Sequence, residues 1–235
     1  MSGMLYGLGL GPGDSDLVTI KAAAVMRDVP VIVYVTPVRS GKPNVSLARS
    51  IAEPHLIGEK KEIPIAIPML DNPAPGRKIY DEVSKEIANY LDSGQNVAVL
   101  CEGDPLLFGS FIYLLERLKD DYTVLTVPGV SSMSAAAAAA NLPLVTRNQT
   151  ITLIPATLSE SEIRTRLQGV ESAVILKLGK NLVKVKKALS DLGRLQEALY
   201  VERASMEGEK ILLLSDAPNN APYFSIVLLT NVETK

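Results

Sequence analysis

The sequence contains one cysteine, one histidine and no tryptophan among 235 residues. Cys101 has no partner for an internal disulfide, which fits a reducing compartment. With His55 it falls short of the four Cys or His ligands that a structural zinc site takes, so no protein-bound metal is expected. Basic residues form no block and the formal net charge is −2. The phosphate-neutralising surface of a nucleic-acid binder is therefore missing. No apolar stretch reaches the roughly 18–20 residues needed to span a bilayer. Residues 1–7 lack the basic start, long apolar run and cleavage site of a signal peptide. The expectation is a cytoplasmic protein with no membrane and no nucleic-acid partner.

What is there is the composition of a globular chain, 47% hydrophobic and 21% charged, long enough for one large domain or two compact ones. Apolar runs alternate with helical patterns, the signature of an α/β protein. Strands are predicted at residues 5–10, 31–35, 96–101 and 122–127, with an irregular or edge strand at 61–69, where prolines interrupt the alternation. Helices are predicted at 15–28 (capped by Asp14 or Asp16), 45–53, 77–91 and 110–119, with a loop at 73–76. An alanine run at 135–140 is read as a tightly packed helix. From about residue 150 the texture changes. Strands at 150–155, 173–178, 197–201, 210–214 and 223–230 outnumber helices at 160–168 and 182–192. The pattern implies two α/β domains, residues 1–120 with a mostly parallel sheet and 121–235 with a mixed sheet.

Three glycine-bearing loops follow predicted strands. The first reads Gly7-Leu8-Gly9-Leu10-Gly11-Pro12-Gly13-Asp14. A dinucleotide fingerprint needs G-x-G-x-x-G, but counting from Gly7 the sixth position is Pro12, and from Gly9 it is Asp14. The next strand also ends in Val33-Tyr34-Val35-Thr36, without the acid that would hold a nicotinamide ribose. The glycines then serve either a small ligand approaching bare backbone or a plain tight turn. The second loop, Glu102-Gly103-Asp104-Pro105-Leu106-Leu107-Phe108-Gly109, follows an almost wholly apolar strand. The third, Pro128-Gly129-Val130-Ser131-Ser132, opens a helix, where Ser131 can also act as a cap. In an open α/β sheet the carboxyl ends of the strands are where ligands lie. None of the loops contains a phosphate-binding G-x-x-x-x-G-K-[ST] or a hydrolase G-x-S-x-G.

The order and spacing of G-x-G-P-G-D, G-D-P-x-x-(F/Y)-G and P-G-(V/I)-(S/T)-(S/A) resemble the tetrapyrrole methylase family over essentially the whole chain. Leu100 to Pro105, Arg147-Asn148, Pro155 to Leu158, Glu202-Arg203-Ala204 and Pro222 to Ser225 are similar to the branch that methylates C20 of precorrin-2. The uroporphyrinogen branch typically carries glycine where this chain has Glu102. The resemblance implies a homodimer that binds S-adenosylmethionine (SAM) in a cleft between its two domains and takes a tetrapyrrole substrate. Carried over by position, Pro12 contacts the cofactor. Glu102, Gly103 and Asp104, with Leu107 and Phe108, line its methionine and ribose end. Ser131 and Ser132 bond to it, and Leu178 and Ala204 meet the adenine.

The implied reaction turns precorrin-2 into precorrin-3A; the alternatives are the cobalt complex of the oxygen-independent route as substrate, or the activity of another tetrapyrrole methylase of the same family. The nucleophile is a carbon of the substrate, so no Ser-His-Asp apparatus is required. Loss of the C20 proton needs a base at most. Glu102 and Asp104 are candidates by location, with a structural role for Asp104 as the competing reading. Arg39, Lys42, Arg147 and Lys180 are cationic candidates for the substrate carboxylates, against ordinary surface charge. An RNA ribose methylase would carry a basic surface. A nicotinamide oxidoreductase would carry the missing fingerprint, and a non-catalytic tetrapyrrole carrier would have no reason to keep three cofactor loops.

Overall fold

The computed structural model describes residues 2–39, 42–68 and 74–231, with Arg39 and residues 74–76 described by backbone alone. The chain forms two compact units, Met1–Ser131 and Ser132–Lys235.

The first unit is built on β1 (Leu5–Gly9), β2 (Val31–Arg39), β3 (Lys42–Pro43), β4 (Lys61–Pro68), β5 (Val97–Cys101) and β6 (Val124–Val127). They form one sheet in the order β3-β2-β5-β1-β6, with β4 paired to β2. Every pairing is parallel except the short β2–β3 contact. Helices α1 (Ile20–Asp28), α2 (Leu47–Ala52), α3 (Ala74–Asp92) and α4 (Phe111–Leu118) connect the strands. Alternate strand residues feed two separate cores. Leu5, Val31, Val33, Val97 and Val99 pack with Ile87 and Leu91 of α3 and Phe111 and Leu114 of α4. Leu8, Ile32, Ala98 and Leu100 pack with Ala22 and Met26 of α1 and Ala48 and Ile51 of α2. Both faces of the sheet are covered, which is why β5 is apolar at every position.

The second unit contains α5 (Ser132–Ala139), β7 (Ile151–Pro155), α6 (Glu160–Leu167), β8 (Ser172–Leu176), α7 (Leu182–Asp191), β9 (Ala198–Glu202), β10 (Lys210–Leu213) and β11 (Ser225–Leu229). Its sheet runs β10-β9-β11-β8-β7. Only β7–β8 is parallel, so the sheet is mixed. Helix α6 begins in a reciprocal cap: Ser159 accepts the Glu162 amide and Glu162 accepts the Ser159 amide.

Some sequence expectations are corrected. The helix read at residues 15–28 is a short 3-10 turn, Ser15–Leu17, followed by α1. Asp14 caps only the turn, and Thr19 Oγ1 caps α1 by accepting the Ala22 amide at 3.1 Å. The loop read at 73–76 is helical from Ala74. Pro75 fits because the first turn leaves its amide positions without intrahelical partners anyway. Pro73 and Met69 lie outside the described residues. Parallel pairing of β6 with β1, Leu8 opposite Val127, places residues 121–131 with the first unit, although the sequence boundary stood near Asp120.

Candidate functional site

Strands β5, β1 and β6 are neighbours, and their register aligns their ends. Gly9 lies opposite Cys101, and Leu8 opposite Val127. The three sequence motifs therefore leave the sheet from one edge, side by side. They are bonded to each other there. Leu10 N donates to the Cys101 carbonyl at 3.0 Å and Gly103 N to the Gly11 carbonyl at 2.7 Å. Asp104 Oδ2 accepts the Gly129 amide at 3.1 Å, while Oδ1 accepts the Leu106 amide at 2.9 Å.

Close packing explains Gly129, Gly9 and Gly7. A Cβ on Gly129 would stand 2.1 Å from the Gly103 carbonyl oxygen, and one on Gly9 would stand 2.4 Å from the Gly129 nitrogen. A Cβ on Gly7 would meet the Phe111 ring at 2.5 Å. Ligand approach is thus not the reason for these three. Gly103 differs. Its φ is +66°, and a Cβ there would meet nothing nearer than the Val130 carbonyl at 4.0 Å. It is the motif position with bare backbone facing open space.

Both Asp104 oxygens are engaged by backbone amides, so the geometry makes it the tie between the second and third loops. Glu102 is set differently. Its Oε1 accepts the Ala48 amide of α2 at 3.3 Å. Desolvation raises its carboxyl above the ordinary glutamate range, opposed by the amides of Ala48 and its own backbone. A carboxylate in that state takes up a proton more readily than one in water. Pro12 is buried just after Gly11, whose φ is +79°. Leu107 is half-buried. Phe108 is 47% exposed and holds a left-handed φ of 57°, a strain of order 1–3 kcal/mol for a residue of its size. Ser131 and Ser132 are half-buried where the third loop meets α5.

In the second unit, β8 and β9 both run antiparallel to β11, so both end at the same edge of that sheet. Leu178 and Ala204 follow those ends. The flanking backbone is left-handed at Lys177 (φ 60°), Arg203 (φ 53°) and Ser205 (φ 62°). Ala204 is half-buried. Leu178 is wholly enclosed in the core, whereas its neighbours Lys177 and Gly179 are exposed and half-buried. Lys42, Arg147 and Lys180 are exposed and stand on three separate segments; the Arg39 side chain lies outside the described residues.

One group escaped the sequence reading. Arg49 of α2 bonds Glu62 of β4 through Nε at 3.0 Å to both carboxylate oxygens, and Tyr34 of β2 donates to Glu62 Oε2 at 2.7 Å. These residues are scattered along the chain, and no local pattern links them. Among the described residues no group of three or more His, Cys, Asp or Glu side chains is placed to hold a metal, and no helix is long and apolar enough to cross a membrane.

Residues 4–217 match the family model for Tetrapyrrole (Corrin/Porphyrin) Methylases. The chain belongs to that family. It is 41% identical over 97% of its length to the cobalamin biosynthesis protein CobIJ of Mycobacterium tuberculosis, spanning only 46% of that protein. Thus the chain covers about half the length of the first curated relatives it matches. A precorrin-2 C(20)-methyltransferase of Sinorhizobium is 38% identical over 97% of this chain and 95% of its own. The cobalt-precorrin-2 C(20)-methyltransferase of Salmonella typhimurium is 33% identical over 97% of both. Among solved structures, the cobalt precorrin-4 methyltransferase CbiF superposes with a TM-score of 0.76 at 22% identity, covering 97% of this chain and 94% of its own. The Thermus thermophilus uroporphyrin-III C-methyltransferase complexed with S-adenosylhomocysteine gives 0.68 at 24%, covering 97% of both. These two likenesses support the fold: two sheets with helices, as the sequence implied.

Proposed function

We propose that this chain is a SAM-dependent C-methyltransferase that methylates C20 of precorrin-2, giving precorrin-3A, in corrin synthesis. The carrying observation is the bonded convergence of three family motifs at the ends of β1, β5 and β6, with Gly103 left bare toward open space. The 38% identity to a protein named for this activity, over nearly its whole length, supports the choice of substrate. In this reading the enzyme is a cytoplasmic homodimer.

When bound, SAM supplies a methyl group already activated on sulfur. The protein's task is then chiefly positioning, which can be worth roughly 7–11 kcal/mol of barrier in favourable cases. Gly103 lets the cofactor lie against the backbone of the second loop. Asp104 fixes that loop to the third, and Leu107 and Phe108 give it an apolar wall. Ser131 and Ser132 offer hydroxyls. Pro12 stiffens the first loop, and Ala204 with the backbone beside the enclosed Leu178 is assigned to the adenine. Glu102 receives the proton that C20 loses, a task suited to a carboxyl whose protonated form is favoured by burial.

Calorimetry with S-adenosylhomocysteine tests the cofactor site. One site per chain is expected, and no heat of binding contradicts the reading. The Salmonella relative's name favours a second substrate, the cobalt complex. Turnover of metal-free precorrin-2 and its cobalt complex, compared side by side, decides between them.

A further inference from the structure

We infer that the Tyr34–Glu62–Arg49 cluster is a positioning device for Glu102, acting through helix α2. The inference rests on the proton-accepting role just proposed for Glu102. Helix α2 has six residues, Leu47–Ala52, too few to hold a position by its own hydrogen bonds. Its location is set by what it is attached to. The buried Ser46 caps it by accepting the Arg49 amide at 3.3 Å, and Ala48, Ile51 and Ala52 are buried against the sheet.

Among the described residues the ion pairs of α2 run through Arg49, held by Glu62 of β4 and, i to i+4, by Glu53 of the following turn. Tyr34 completes the arrangement from β2 by donating its hydroxyl to Glu62. The three groups reinforce one another. Arg49 lowers the Glu62 carboxyl, and burial together with Glu62 pushes the Tyr34 phenol up to about 12. One turn of the same helix presents the Ala48 amide to Glu102 Oε1. That amide favours the ionised carboxylate, while burial opposes it.

The other ionisable groups acting near this position are the buried Cys101 thiol and Asp104 on its own segment and Tyr80 of α3. None of them is a cation. Glu102's own backbone amide also favours the ionised form, but it belongs to the loop; the Ala48 amide is the contact that depends on where α2 lies. Loosening Arg49 moves α2, weakens that contact and leaves Glu102 protonated to higher pH.

The test uses Arg49→Met, with Tyr34→Phe and Arg49→Lys as milder variants should the first fail to fold. Each is made in the wild-type and Glu102→Gln backgrounds. In wild type, Arg49→Met is expected to move the acidic limb of the kcat–pH profile upward by at least about half a unit, which lowers kcat on that limb about threefold or more. KM for SAM should stay within about twofold. In the Glu102→Gln background the same change should have no further effect on kcat. The carbon resonance of the Glu102 carboxyl, followed through a pH titration, should show the same upward shift without reference to activity. Equal losses in both backgrounds, or an unmoved Glu102 titration, overturn the inference. If Glu102→Gln alone leaves kcat and its pH limb unchanged, the role of Glu102 and this inference fall together, and methyl transfer itself stands.

Discussion

The tightest contact in the candidate site gives the sharpest expectation. Gly129→Ala places a Cβ 2.1 Å from the Gly103 carbonyl oxygen and 2.7 Å from the Gly9 carbonyl carbon, both backbone atoms. The φ of Gly129 is not in the left-handed region, so the cost is steric and not conformational. Ordinary van der Waals contact requires the loops to retreat by more than an ångström. Overpacking of this kind costs about 1–3 kcal/mol. Retreat also weakens the Asp104–Gly129 bond, a charged contact worth about 1.5–3 kcal/mol, and the Gly103–Gly11 bond, worth about 1 kcal/mol. Partial relaxation leaves a loss of about 3 kcal/mol, which a domain of ordinary stability survives. Urea unfolding measures it, and calorimetry should show S-adenosylhomocysteine binding weakened at least about tenfold. Gly103→Ala is the control. Its Cβ makes only an ordinary contact with the Val130 carbonyl at 4.0 Å and carries the left-handed penalty of about 1–2 kcal/mol, yet it enters the space assigned to the cofactor. It should therefore lose less stability but at least as much affinity. A Gly129→Ala protein within about 0.5 kcal/mol of wild type, with unchanged binding, would refute the loop contact.

Asp104→Asn replaces an oxygen facing a backbone amide by an NH2 group, so it should destabilise by about 1.5–3 kcal/mol in urea unfolding, in line with a tie and not with a free base. Among the described residues Ser172 Oγ is buried without a hydrogen-bond partner, so Ser172→Ala should be neutral or stabilising, by up to about 1 kcal/mol in the same assay. In an alkaline absorbance titration Tyr34 and Tyr200 should ionise last. Burial first, then the neighbouring carboxylate, pushes Tyr34 to about 12, and Tyr200 reaches the same value chiefly through burial. Tyr34→Phe and Tyr200→Phe should each remove amplitude from that final phase alone.

Much of this was legible because the local signals agree with the fold. The apolar run of β5 announces a strand covered on both faces, and the prolines at 64 and 68 announce an edge, where β4 pairs only with β2 among the described residues. The motif loops were legible because their glycines break strand texture. Their reason was not. Whether a glycine faces a ligand or another loop depends on which strands are neighbours, and that is a property of the sheet order. The same limit applies to Leu178 and Ala204. Their left-handed neighbours, Lys177 and Arg203, carry no residue-type signature, since glycine and asparagine are the usual markers of that backbone. Strand texture alone does not say that β6 pairs with β1, so the division of the chain at Ser131 has no local signature. The Arg49–Glu62–Tyr34 cluster joins α2, β4 and β2 at separations that no periodicity reports.

The central claim is methyl transfer from SAM to one carbon, and labelling tests it most directly. Purified protein is incubated with precorrin-2 and SAM carrying a carbon-13 methyl group, and the product is read by NMR. One labelled methyl bonded to C20, with one S-adenosylhomocysteine formed per transfer, is the expected result. A label on any other carbon, or none from folded protein that binds S-adenosylhomocysteine, contradicts it.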